Sequence, residues 1–304
     1  MEERVRLAFT IGYIGKYFHG SQIQPDVKTV QGELIRVFRK LKWLDIEENN
    51  HNLVLSSRTD AGVNVRRNGG VVTLKKSLWD SLTKRKMVRA VDDRLCEGLV
   101  FLDVKEMDDG WNPRLATHRV YRYRLDGMQS WQYPGDDFAD WLNLFVGTYD
   151  ARNFARLEEG KNPIRKIYSC TPWEVENKIV GFEIIGEAFL WNQVRRTAMA
   201  LYKLSTGELT FEDVKRAIDF PLDTVDFGVA PPDWLILWDV KWPNLEFNEN
   251  TSVNFSFTPM PREENLERTM FGRWEKGAKL EMESLLYHQW SKLGELPYTP
   301  HKSE

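Results

Sequence analysis

The sequence predicts an α+β protein made of two successive halves, and three observations predict it. Short runs of alternating apolar and polar residues mark strands with one buried face. Between them lie stretches whose apolar residues recur at helical spacing. The two halves then repeat one order of elements, strand-helix-strand-strand-helix-strand, the split βαβ arrangement that places helices on one face of a sheet.

The elements follow in order. Residues 5–13 alternate Val5, Leu7, Phe9, Ile11 and Tyr13 against smaller or polar neighbours, which predicts a strand. Leu34, Val37, Phe38 and Leu41 predict a helix with Thr29 as its N-cap. Strands are expected over 52–57, 69–74 and 99–104, with one helix over 78–91. In the second half, strands are expected over 117–125, 167–175, 180–188 and 235–242. Helices are expected over 138–146, 190–204 and 211–218, and 264–293 reads as a charged helix pair or one long helix.

Composition excludes several classes. The 304 residues are 42% apolar and 29% charged, which is neither disordered nor fibrous. No run approaches the roughly 20 apolar residues of a membrane span, and Met1-Glu2-Glu3-Arg4 leads at once into a strand pattern, so no secretory leader is expected. Two cysteines are too few for a disulfide framework or a cysteine zinc site, and the five histidines never fall at metal-ligand spacing. The expectation is a cytoplasmic protein with no metal and no cofactor.

The net charge of -3 gives no sign of a polyanionic partner, but it is unevenly spread. Residues 58–124 hold 15 Lys plus Arg and 9 Asp plus Glu, a net of +6, so the rest of the chain carries -9. Arg66, Arg67, Lys75, Lys76, Lys84, Arg85, Lys86 and Arg89 read either as a solvated face or as a track for a nucleic-acid backbone. The C-terminal Arg262, Arg268, Arg273, Lys276 and Lys279 are offset by six glutamates between Glu263 and Glu283, which favours packing over RNA binding there.

Three segments concentrate chemistry. The run 56–74, SSRTDAGVNVRRNGGVVTL, sets a cation, a carboxylate and a glycine in a loop between two strands. Asp60 then caps a turn in which Gly62 supplies positive φ and Arg58 finds a surface partner, or the loop presents reactive groups from a rigid sheet. In 117–124, alternation sets Arg119, Tyr121 and Tyr123 on one strand face and His118, Arg122 and Arg124 on the other. These tyrosines are half-buried strand residues or a stacking surface for an unpaired base. In FLWNQVRR, Arg195 follows the apolar-stripe residue Val194, so it lies exposed or at a buried edge where it needs a carboxylate.

Together these segments resemble the TruA family of tRNA pseudouridine synthases. The resemblance rests on RTDAGV with downstream VVTL, the early GSQIQPDVKTVQGEL, RVYRYRL, FLWNQVRRTAMAL and PPDWLILWDVKW, in that order, over about residues 4–243. It implies two ferredoxin-like (split βαβ) subdomains, 1–110 and 111–245, sharing a central mainly antiparallel sheet with the active cleft between them. Residues 246–304 form an extension expected to be helical.

By the same resemblance Asp60 is the catalytic aspartate, Arg58 the arginine beside it, Tyr121 the base-stacking tyrosine and Arg195 the basic partner of Asp60. Arg58, Tyr121, Arg66, Arg67 and Arg119 are expected to bind substrate. Family members act as homodimers and isomerise uridines 38 to 40 of the tRNA anticodon stem-loop. The chain departs from the family at Asn64, where histidine is usual, at Ser57 before the arginine, and at Ser21, where an aromatic is common. A tRNA-binding paralogue without turnover and a metal-dependent nuclease are the competing readings. No acidic cluster at metal spacing supports the nuclease.

Overall fold

A computed structural model describes residues 3–44, 52–248, 255–260 and 268–294. The chain divides into two compact units: residues 1–116, 237–253 and 283–304 form the first, 117–236 and 254–282 the second. The residues after 245 are therefore shared between the units. Among the described residues no helix is long and apolar enough to cross a membrane.

The first unit is built on β1 (Arg4–Tyr13), which pairs antiparallel with both β3 (Asn64–Lys75) and β4 (Leu99–Met107). Its interior position explains why both of its faces are buried from Leu7 on, while Arg4 at its start is exposed. The short β2 (Leu53–Leu55) and β9 (Leu235–Lys241) both flank β3 on the edge away from β1. The helix α1 (Val30–Lys40) buries Leu34, Val37 and Phe38, and the Thr29 hydroxyl accepts the Gly32 amide as the expected cap.

The helix expected over 78–91 is two helices, α2 (Lys76–Ser81) and α3 (Lys84–Asp92). The hydroxyl of Ser81 bonds back to the Leu78 carbonyl, Leu82 is extended, and Thr83 caps a new start at the Lys86 amide. Small hydroxyl side chains offer the backbone an alternative to the helical ladder, and here two in three residues break it.

The second unit's sheet runs β5 (His118–Arg124), β8 (Lys178–Gly186), β7 (Ile164–Val175), β6 (Gly147–Asp150), with antiparallel pairing throughout. The β7–β8 hairpin turns through Glu176 and Asn177, both at positive φ, as a two-residue type I′ turn requires. Around it lie α4 (Asp137–Asn143), α5 (Gln193–Ser205) and α6 (Phe211–Asp219), the last opened by a capping box between Thr210 and Asp213.

The final helix α7 (Arg268–Leu293) is continuous. Its expected beginning at Glu264, like Arg262, lies outside the described residues. It packs as the charge balance suggested: Met282, Leu286 and Trp290 are buried.

Candidate active site

The loop between β2 and β3 carries Arg58 and Asp60, and buried groups pin it from both sides. Behind Ser57, the fully buried Asn68 accepts the Ser57 amide at 3.2 Å and donates to its carbonyl at 2.9 Å. Thr59 is held three ways. Its amide donates to the Ser21 hydroxyl at 2.9 Å, its carbonyl accepts the Ser21 amide at 3.1 Å, and its hydroxyl bonds the Tyr13 hydroxyl at 2.7 Å. Asp60 accepts the Val63 amide through its carbonyl, and Gly62 at φ 83° closes that turn as type II geometry demands.

Asn64 ends the loop. It is 6% exposed and its Oδ1 accepts the Gly15 amide at 2.9 Å. Gly15 itself lies so close to Gly62 that a Cβ there would stand 2.3 Å from the Gly62 carbonyl carbon. Asn64 and Ser21, two departures from the family pattern, thus face inward as staples of the loop. What stays accessible is Arg58, which is exposed, and Asp60, which is half-buried.

The second unit holds Arg119, Tyr121 and Arg195, and one segment, 187–195, touches all three. Arg119 donates to the Glu187 carbonyl, and burial lowers its pKa although Tyr121 and Glu187 oppose the shift. Tyr121 is more buried than the half-buried strand residue expected, at 8% exposed, and its ring meets Phe189 edge-on with centroids 5.0 Å apart. Arg195 donates from Nε to the Ala230 carbonyl at 2.7 Å and from Nη1 to Asn192 Oδ1 at 3.1 Å. Asn192 is in the left-handed region at φ 63°, which Asn tolerates better than most residues. That conformation starts α5 at Gln193, so Leu190 falls outside the helix expected over 190–204. It packs instead with Ala151, Ala155 and Tyr149.

Two substrate-binding expectations are corrected. Arg66 is 1% and Arg67 3% exposed, so neither reaches an RNA backbone. Arg66 Nε donates to Gln289 at 2.7 Å and its guanidinium lies over Trp238, 4.6 Å from the ring centroid. Arg67 makes a two-pronged pair with Asp239, both bonds 2.6 Å. Each guanidinium is held by its own partners inside the first unit. The expected stacking role also leaves Tyr123 out: it is fully buried, its hydroxyl donates to the Pro231 carbonyl, and burial pushes its pKa up.

Asn68, Ser21 and Asn192 as supports of this chemistry were not legible beforehand. Asn in an apolar strand context (Asn68) and Asn just before a helix (Asn192) were the available signals.

The family described as tRNA pseudouridine synthase matches residues 142–243. A tRNA pseudouridine synthase A from Pyrococcus furiosus is 36% identical over 254 residues, 82% of this chain and 88% of that protein. The chain belongs to the tRNA pseudouridine synthase A family. A second relative of that description, from Thermococcus kodakarensis, is 34% identical over 80% of this chain and 87% of its own. A solved pseudouridylate synthase aligns at TM-score 0.30 and 11% identity over 66% of this chain and 59% of that one. Membership of the family makes the protein an enzyme of the isomerase class.

Proposed function

We propose that this chain converts uridine to pseudouridine in tRNA, at positions 38 to 40 of the anticodon stem-loop, with Asp60 as the catalytic carboxylate. The observation that carries the reading is the Asp60 loop. Its neighbours Ser57, Thr59 and Asn64 are fixed by buried hydrogen bonds, while Arg58 and Asp60 keep their access to solvent. A reactive group held on a rigid frame needs little reorganisation on the way to the transition state.

The reaction breaks the N1–C1′ bond, turns the base and joins C5 to C1′. C5 loses its proton and N1 gains one, so atoms and electrons balance without an external oxidant or reductant. A carboxylate serves this chemistry by attack at C1′, by addition at C6, or by stabilising a glycal-like intermediate. Arg195 is the cation assigned to Asp60 by the family resemblance, and a cation beside a carboxylate favours its ionised form. Tyr121 stacks on the base once it has left the helix, offsetting the few kcal/mol that flipping costs. Arg58 grips the flanking backbone, and the enzyme acts as a homodimer.

The deciding experiment replaces Asp60. Asp60→Asn is expected to abolish pseudouridine formation on unmodified tRNA while tRNA affinity stays within a few fold. Activity like the wild type would sink the assignment, and a wild type that binds tRNA without turnover would establish the inactive-paralogue reading. Mass-spectrometric mapping of the product tests positions 38 to 40, and size-exclusion chromatography with light scattering tests the dimer.

A further inference from the structure

Within the second unit, the segment that touches Arg119, Tyr121 and Arg195 also points one large ring outward. Trp191 is 42% exposed although its neighbour Leu190 is buried. The left-handed Asn192 after it keeps this stretch out of the helix, so adjacent side chains face opposite ways. A tryptophan in a soluble protein ordinarily hides most of its area, because its burial is among the largest apolar gains a side chain offers. Here the backbone is fixed to present it.

That fixing is specific. The Arg156 amide donates to the Trp191 carbonyl at 2.8 Å, forming an isolated antiparallel bridge, and the Arg156 guanidinium lies 4.2 Å from the centroid of the Trp191 ring. Arg156 is itself exposed. An aromatic face joined to a solvent-facing guanidinium pairs the two functions that single-stranded nucleic acid calls for: a surface on which any base can stack and a cation for the phosphate beside it. A protein partner would find the same ring, but the cation and the continuity with Tyr121 and Arg195 favour RNA.

We propose that Trp191 and Arg156 form a base-stacking platform for an unpaired nucleotide of the substrate RNA, on the same segment that supports Tyr121 and Arg195. The platform rests on the reading of the chain as acting on tRNA. It adds a subsite for a nucleotide other than the one that reacts, and so a determinant of which RNA is accepted.

The test measures binding, which does not depend on turnover. Equilibrium binding of unmodified tRNA transcript is compared for the wild type, Trp191→Ala, Trp191→Leu, Trp191→Phe, Arg156→Ala and, as control, Leu222→Ala. Leu222 is another strongly exposed apolar side chain of the same unit. Trp191→Ala and Trp191→Leu are expected to weaken binding about tenfold, the size of a lost base–aromatic stack. Trp191→Phe, which keeps a ring, stays within about threefold. Arg156→Ala lowers the slope of log affinity against log salt by about one.

Binding by Trp191→Leu within twofold of the wild type, with melting temperature unchanged, overturns the platform, as does an equal loss in Leu222→Ala. A parallel assay for pseudouridine separates the two readings. Should the wild type bind tRNA through Trp191 yet make no pseudouridine, the platform stands and the assigned activity falls.

Discussion

At the scale of single residues, the Asp60 loop depends on buried side chains that hold its backbone. Asn64 satisfies the buried Gly15 amide. Asn64→Ala leaves that donor without its partner, at a cost of about 1–3 kcal/mol. Urea denaturation should show the loss, and kcat for pseudouridine formation should fall with it because the Asp60 loop loses one of its anchors. Glu33 offers a pH-dependent counterpart. Burial alone would raise its pKa, but the hydrogen bond and charge of Arg36 and the Cys96 amide outweigh burial, and the carboxyl is lowered overall. Its contribution is therefore full above the unfolded carboxylate range, about pH 4.3, and is lost as pH falls through the lower folded value. Glu33→Gln should destabilise by about 2 kcal/mol at pH 7 and progressively less below pH 4, read from urea midpoints at the two pH values.

At the scale of elements, β3 shows how a cationic sequence ends up inside. Arg67 and Asp239 bond across neighbouring strands, and both side chains are largely buried. Removing one member of such a pair strands the other's charge. Arg67→Ala should cost about 3–5 kcal/mol in thermal or urea unfolding. The folded fraction should bind tRNA with unchanged salt dependence, because Arg67 touches no phosphate. The exposed cations of α3 allow the opposite test. Arg85, Lys86 and Arg89 point to solvent, so reversing all three to Glu should weaken tRNA binding and flatten its salt dependence, with little change in melting temperature. Helix boundaries turned on equally local chemistry: hydroxyl side chains split 76–92 into two helices, and one left-handed asparagine delayed α5 by three residues.

At the scale of the whole molecule, each unit is assembled from segments distant in sequence, and the C-terminal residues complete both. In the second unit the fully buried Arg124 bonds Asp126, the carbonyls of Thr258 and Ala278, and Glu281. In the first, Trp290 donates to the Arg66 carbonyl and fills the space over Gly12, where a Cβ would lie 2.0 Å from its Nε1. A chain ending at residue 245 removes these partners from two buried arginines at once. It should be insoluble or lack a cooperative melting transition, as differential scanning calorimetry would record. The regional charge needs the same correction: of the +6 carried by residues 58–124, Arg66, Arg67 and Arg124 are spent on internal pairing.

The sequence by itself determined the α+β class, most of the elements and the family, because periodicity and short motifs are local properties of the chain. It did not reveal β6, whose Gly147-Thr148-Tyr149-Asp150 lacks alternation, since a short edge strand draws its stability from its neighbour. Only the tertiary structure decided which cations face solvent. Arg67 meets Asp239 and Arg66 meets Gln289 across 172 and 223 residues of chain. No local pattern encodes such a pair, and whether a guanidinium binds RNA or a buried carboxylate depends on what the fold brings beside it.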